Sequence, residues 1–218
     1  MKKILVLVEG QTEETFTKTV LNPYLSGFDR YIEPKIIVTK IVKRGNQFKG
    51  GVPPYERVRN QILRLINDTS AALVSTCIDY YALPDTFPGK DAVQGRTPME
   101  KVAFLEQQLY FDINSPRFLP YYSLHEFEAL LFASPLEIAN TLISPQEGPR
   151  LVSIRKQFAS PEDINDRPQT CPSARIKAIF SQYQKPLHGS LIAQRTGLTN
   201  IRAECQHFSE WLRRLEEI

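Results

Sequence analysis

Residues 4–8 (ILVLV) form a continuous apolar run that stops at Glu9-Gly10. Such a run is the pattern of a central strand buried on both faces of a parallel sheet. After the turn, Phe16, Val20 and Leu21 fall on one face of a helix predicted over Thr12–Leu25, with Thr12 as its cap. A second strand is predicted at residues 35–42 (KIIVTKIV), and a second helix at 54–66, where Val58, Ile62, Leu65 and Ile66 repeat at helical spacing. A third buried run, Ala71 to Ile78, again ends on an acid, Asp79. The alternation of strand and helix predicts a parallel α/β sheet.

Beyond Asp79, residues 82–97 are rich in proline, glycine and charge and read as a loop, followed by a helix from Pro98 to about Tyr110. Residues 118–124 (FLPYYSL) suit a fourth strand, and Phe127, Leu130 and Leu131 mark a helical face that ends at Ser134-Pro135. Further helices are expected over Pro135–Leu142, Pro172–Tyr183 and about Ile201–Leu215. The fold class is therefore α/β, a mainly parallel sheet flanked by helices, with a helical C-terminal portion. One domain over 1–218 is expected, its core about 1–134 and its helical extension about 135–218.

With 218 residues, 42% of them hydrophobic and 23% charged, the chain has material for one sizeable core. A formal net charge of +3 permits a polyanion partner without demanding one, so any nucleic-acid surface must be local. Cys77, Cys171 and Cys205 are too widely spaced for a zinc site or a disulfide framework, which fits a reducing compartment. The apolar run after Lys2-Lys3 is too short for a signal peptide or a membrane span, so a cytoplasmic protein with no membrane partner is expected.

Parallel α/β sheets place reactive groups beyond the carboxyl ends of their strands. Glu9 and Asp79 both stand there, and if their strands are neighbours the two carboxylates converge within reach of one hard divalent cation, Mg2+ or Mn2+. Glu13 folds back toward the same crevice after one helical turn, while Glu14 points elsewhere; the plainer alternative is that both offset the helix dipole. In the cluster His125, Glu126, Glu128, the two glutamates share a face on a strand and diverge on a helix. Ser123 and Glu126 also match a capping box, and His125 alone is more simply structural.

Ser173 and Arg175, at the start of a helix, could receive a phosphate through hydroxyl, amide and guanidinium, or serve as cap and surface charge. Lys185-Pro186-Leu187-His188-Gly189 reads as a compact basic turn in which Lys185 can neutralise charge developing on a phosphate; a solvated loop is the alternative. Lys43, Arg44 and Lys49, with Phe48 and flexible glycines, combine as a nucleic-acid backbone contact would, or form a mobile loop. There is no Walker loop, dinucleotide glycine fingerprint, HExxH or nucleophile-elbow serine.

Taken together, Val8-Glu9-Gly10-Gln11-Thr12-Glu13, Ile78-Asp79-Tyr80-Tyr81-Ala82-Leu83-Pro84 with Phe87-Pro88-Gly89, His125 through Phe132, and Pro172-Ser173-Ala174-Arg175-Ile176 resemble the DUF4276 family. The resemblance extends through Tyr183, Lys185 and His188-Gly189 to Cys205, His207-Phe208 and Trp211. That family is grouped with Toprim-like (Rossmann-like) proteins, among them topoisomerases, primases and the overcoming-lysogenization-defect nucleases, and its members resemble bacterial antiphage-defence or mobile-element proteins encoded beside ATPases. The resemblance implies that Glu9 matches the Toprim glutamate, Glu13 the acid four positions on, and Asp79 the first Asp of an Asp-x-Asp pair. Tyr81 stands where the second Asp belongs, and Glu126 or Glu128 is the expected substitute.

The leading expectation is a Mg2+- or Mn2+-dependent nuclease acting on DNA or RNA, with a partner ATPase and with homo-oligomer formation left open. Glu9, Asp79 and Lys185 are its catalytic residues; Glu9, Glu13, Asp79, Glu126 and Glu128 its metal ligands; Ser173, Arg175, His188, Lys43, Arg44 and Lys49 its phosphate contacts. The second is a non-catalytic subunit that binds a partner ATPase or a nucleotide through the same crevice. A phosphotransfer or primase-like enzyme ranks last.

Overall fold

The first strand, β1 (Lys2–Val8), buries both of its faces, and its alternation sorts the core into two layers. Ile4, Val6 and Val8 pack into one apolar cluster and Leu5 and Leu7 into another, on opposite sides of the sheet. This is why the run is unbroken in sequence. The structure, a computed structural model, describes residues 1–39, 51–94, 97–164 and 169–218.

After β1 come α1 (Gln11–Phe16), one π-helical turn over Thr17–Leu21, and α2 (Asn22–Leu25). Gly10, rather than Thr12, is the N-cap; Thr12 is buried inside the helix. Then follow β2 (Arg30–Ile36), α3 (Tyr55–Ile66), β3 (Ala71–Asp79), α4 (Pro98–Ile113) and two short strands, β4 (Phe118–Leu119) and β5 (Tyr122–Ser123). The rest is helical: a 3-10 segment Phe127–Ala133, α5 (Pro135–Thr141), α6 (Gly148–Arg155), α7 (Pro172–Ile179), α8 (Lys185–Thr196), α9 (Leu198–Glu204) and α10 (Gln206–Glu216).

The strand order is β2-β1-β3-β4, with β5 also paired to β3, and every pairing is parallel. The mainly parallel α/β sheet expected from the sequence is what forms. Strand β2 lies earlier than the predicted 35–42, because among the described residues it is an edge strand paired only to β1: Arg30, Glu33, Pro34 and Lys35 are tolerated where one side needs no partner. Residues 40–42 of that expectation lie outside the described residues.

The predicted strand 118–124 breaks at Pro120, which has no amide to give. Thr76 bridges the break: its hydroxyl accepts from the Tyr121 amide at 2.9 Å and donates to the Tyr121 carbonyl at 2.9 Å. The segment after it is a 3-10 helix rather than an amphipathic α-helix, and Phe127 to Phe132 are all buried, so no solvent face exists. The stretch 185–189, which reads as a basic turn, opens a helix instead, because a proline in the first turn gives up only an amide that has no helical partner. The final helix is interrupted at Cys205, and the helix from Pro172 stops at Ile179.

The C-terminal helices pack directly on the sheet. Ile176, Phe180, Ile192, Ile201, Phe208 and Trp211 join Ile4, Val6 and Val8 in one cluster, while α3 and α4 cover the opposite face with Val58, Ile62, Val102, Leu105 and Leu109. The start of α10 is held by Glu162, whose carboxylate accepts from the amides of His207 and Phe208 at 2.9 and 3.0 Å. Among the described residues no helix is long and apolar enough to cross a membrane.

His207 also pairs through Nε2 with Glu106 at 3.0 Å while its ring stacks on Tyr121. Burial pulls the imidazole down, but the hydrogen bond and charge of Glu106 outweigh it and leave His207 above its ordinary value. A raised value means that the protonated pair stabilises the fold fully below the ordinary histidine range, about pH 6.5. That contribution is lost as pH climbs through the raised value. Urea melts of wild type and His207→Gln should therefore diverge most at mildly acidic pH and converge at alkaline pH; a gap that widens with pH would contradict the pairing.

Candidate metal and phosphate site

The carboxyl ends of β1 and β3 are adjacent, with Val8 level with Cys77, so Glu9 and Asp79 emerge side by side. The Asp79 amide points to Glu9 Oε2 at 3.4 Å. The tight turn through Gly10 starts α1, and Glu13 bends back so that Oε2 accepts from the Gly10 amide at 3.0 Å while Oε1 faces the crevice. Glu14 turns outward to Lys18 at 2.7 Å. The neighbouring strand ends and the folded-back Glu13 both match the sequence-based expectation.

The fourth carboxylate comes from the 3-10 segment. Asp79 Oδ1 accepts from the Phe127 amide at 3.0 Å, which fixes the start of that segment and places Glu128 in the same crevice. Tyr183 donates its hydroxyl to Glu128 Oε1 at 3.3 Å. Tyr183 is quoted in the family resemblance but given no role there; it lies 55 positions from Glu128 in sequence, so spacing does not show the contact.

Lys185 reaches into the middle of this group from the first turn of α8. Its Nζ lies 3.0 Å from Asp79 Oδ2, 3.2 Å from Glu128 Oε2 and 3.3 Å from Glu13 Oε1. Helix α8 can come this close because residue 189 is glycine: a Cβ there would lie 3.0 Å from Thr12 Cγ2 and 3.3 Å from Phe127 Cε1, both buried side chains. A cavity of about 280 Å3 opens beside Glu9, Glu13, Lys185 and Pro186.

The electrostatics are unbalanced. Glu13, Asp79 and Glu128 are 3%, 5% and 1% exposed, Glu9 is half-buried, and among the described residues one ammonium, that of Lys185, faces them. Burial raises the carboxyls of Glu9 and Glu128 above their ordinary values and Asp79's well above, with Lys185 opposing in each case. Burial lowers Lys185, yet Asp79, Glu128 and Glu13 together hold it well above the ordinary lysine value, so it stays charged.

Two further observations bear on whether the group suits a divalent cation. Glu13 Oε1 and Glu128 Oε2 are buried and accept no hydrogen bond, so hard oxygen acceptors face the crevice unfilled except by the charge of Lys185. Among the described residues no three His, Cys, Asp or Glu side chains already stand close enough together to hold a metal ion. Hard oxygen donors of this kind suit Mg2+ or Mn2+, and the Lys185 ammonium stands among them.

Other expected site residues are placed elsewhere. Glu126 separates from Glu128: its carboxylate accepts from the Ser173 amide at 3.0 Å and hydroxyl at 3.1 Å, at the start of α7. Ser173 is thus already engaged by an internal anion. Arg175 is also engaged, giving its Nε to the Thr170 carbonyl at 2.5 Å and lying over the Phe158 ring. His188 follows Lys185 by one turn of α8, its ring lies against Tyr183, and its Nδ1 accepts from the Gln184 amide at 2.9 Å, which leaves Nε2 to carry the proton. His125 is buried with φ 66°, beside Tyr80. Tyr81 is exposed and its amide donates to the His125 carbonyl at 3.1 Å. Lys43, Arg44 and Lys49 lie outside the described residues.

Sheet and crevice together define a parallel α/β protein with a buried carboxylate cluster, bridged by a lysine, at the carboxyl ends of its central strands. The chain belongs to the family described as "Domain of unknown function (DUF4276)", which matches residues 8–216. Among solved structures it is similar to the C-terminal region of the Burkholderia pseudomallei OLD protein, at 13% identity and a TM-score of 0.43, covering 99% of each chain. No curated protein matches it.

Proposed function

We propose that this protein is a Mg2+- or Mn2+-dependent nuclease that hydrolyses phosphodiester bonds, in a bacterial defence or mobile-element setting with a partner ATPase. The observation that carries the proposal is the gathering of Glu9, Glu13, Asp79 and Glu128 in one crevice at the strand ends, where the buried Glu13 Oε1 and Glu128 Oε2 are met by the Lys185 ammonium. These four would hold the cation, which when bound supplies a Lewis acid and an activated water. Lys185 would meet the negative charge of the phosphate, and His188, one helical turn on, would offer its Nε2–H to the same group. The Asp79 contact to the Phe127 amide orients Glu128, and Tyr183 holds Glu128 from behind. Glu126, turned to Ser173, supports α7 in this scheme rather than the cation.

The test is to incubate pure protein with plasmid, single-stranded DNA and tRNA in Mn2+ and in EDTA, beside Glu9→Ala. Cleavage by wild type in Mn2+ alone, lost in the variant, is expected; equal cleavage by both would sink the assignment. A second possibility, a non-catalytic subunit that docks a partner ATPase, is favoured by the lysine that fills the crevice and by Tyr81 in place of a second acid. Co-purification with an ATPase, with no calorimetric heat on adding Mn2+, would favour it.

A further inference from the structure

We infer that the divalent-cation position is the point now held by Lys185 Nζ, so that the lysine is a latch which must leave the carboxylates before the metal can enter. The inference rests on the metal-dependent function proposed above and deepens it.

The geometry sets the conflict. Three carboxylate oxygens from three different elements, α1, β3 and the 3-10 segment, stand 3.0–3.3 Å from one nitrogen. That is the spacing of ammonium ion pairs, whereas Mg2+ draws its oxygens to about 2.0–2.1 Å. One point cannot hold both cations, and the oxygens cannot close to metal-bonding distance on a point that the ammonium occupies. The two acceptors without hydrogen bonds, Glu13 Oε1 and Glu128 Oε2, both aim at this nitrogen.

The lysine is also built to move. The carboxylates come from buried, hydrogen-bonded segments, but the Lys185 side chain is 29% exposed, on a four-carbon stem beside the open cavity. Swinging outward places its charge at the mouth of the crevice, where a phosphate would approach. In its inward position the ammonium offsets part of the charge of the carboxylates around it. With metal, the same ammonium becomes available to substrate. Metal loading and substrate engagement are thereby coupled through one side chain.

Competition of this kind lowers apparent affinity by the fraction of molecules with the site open. In calorimetry with Mn2+ alone, Lys185→Met should bind at least about ten-fold more tightly than wild type, since the competitor is gone. Because that variant loses a buried counter-ion, wild type supplies an independent readout. Amine acetylation followed by peptide mass spectrometry should show Lys185 slow to react in EDTA and several-fold faster in Mn2+, with Lys18 and Lys101 unchanged. Mn2+ binding with Lys185 still protected, or no gain in affinity for a folded Lys185→Met, overturns the latch while leaving the metal site standing. No Mn2+ bound by either folded protein overturns the metal site and the latch with it.

Discussion

Asp79→Asn is expected to lower Mn2+-dependent cleavage by about a thousand-fold, the scale of losing one preorganised charged group in a reaction site, while leaving the melting temperature close to wild type. Asp79 has two separable jobs. Oδ1 accepts from the Phe127 amide and fixes the segment that carries Glu128; Oδ2 faces Lys185. Asparagine keeps the size and the Oδ1 acceptor, so the segment stays in place. What it removes is the anionic oxygen, and it sets an amide donor against the ammonium. Burial already holds the Asp79 carboxyl well above its ordinary value, so the ionised form costs the fold energy and a neutral isostere need not destabilise it. Initial rates and thermal melts on the same preparation separate the two effects. A folded Asp79→Asn that retains more than about a tenth of the wild-type rate is incompatible with a ligand role for Asp79.

The largest stability effect is expected at Trp211. Its ring stacks on Tyr121 with centroids 4.5 Å apart, tilts against Phe208 at 5.8 Å, and its indole N–H donates to Ser75 Oγ at 2.9 Å. Ser75 in turn donates to the Leu119 carbonyl at 2.6 Å, so one side chain ties α10 to the centre of the sheet near the break at Pro120. Trp211→Ala should cost about 3–5 kcal/mol, combining lost burial with a residual cavity. In a chain of this size that lowers the melting temperature on the order of 10 °C. Trp211→Phe keeps much of the stack and loses the hydrogen bond, for about 1 kcal/mol. A melt of Trp211→Ala within a degree or two of wild type would show that α10 is not part of the core.

The parts of the fold that could be read from the sequence are those whose pattern is local. The runs Ile4–Val8 and Ala71–Ile78 are apolar because two layers of helix cover them, and the acids that end them are visible beside them. The edge strand was misplaced because a strand with one neighbour tolerates Pro34 and Lys35, so its hydrophobic signal is weak. Lys185 to Gly189 resembled a turn because proline and glycine usually punctuate, yet here proline opens a helix and glycine allows that helix to touch Thr12 and Phe127.

In the site, Glu9, Glu13 and Asp79 are legible because neighbouring strand ends set Glu9 beside Asp79 and one helical turn brings Glu13 back to them. Glu128 and Glu126 were not separable, since their fates depend on a 3-10 segment and on Ser173, 47 positions from Glu126. The meeting of Lys185 with three carboxylates was also beyond the sequence, because it needs α8 packed against α1. Spacing along the chain carries no trace of that contact.

The carboxylate cluster as a divalent-cation site is tested most directly by anomalous diffraction from crystals soaked in Mn2+. A peak within about 2.2 Å of oxygens from Asp79 and at least one of Glu9, Glu13 and Glu128, with Lys185 displaced, is the expected result. Crystals that take up Mn2+ elsewhere or not at all, with Lys185 Nζ still bonded to Asp79, Glu128 and Glu13, would contradict it.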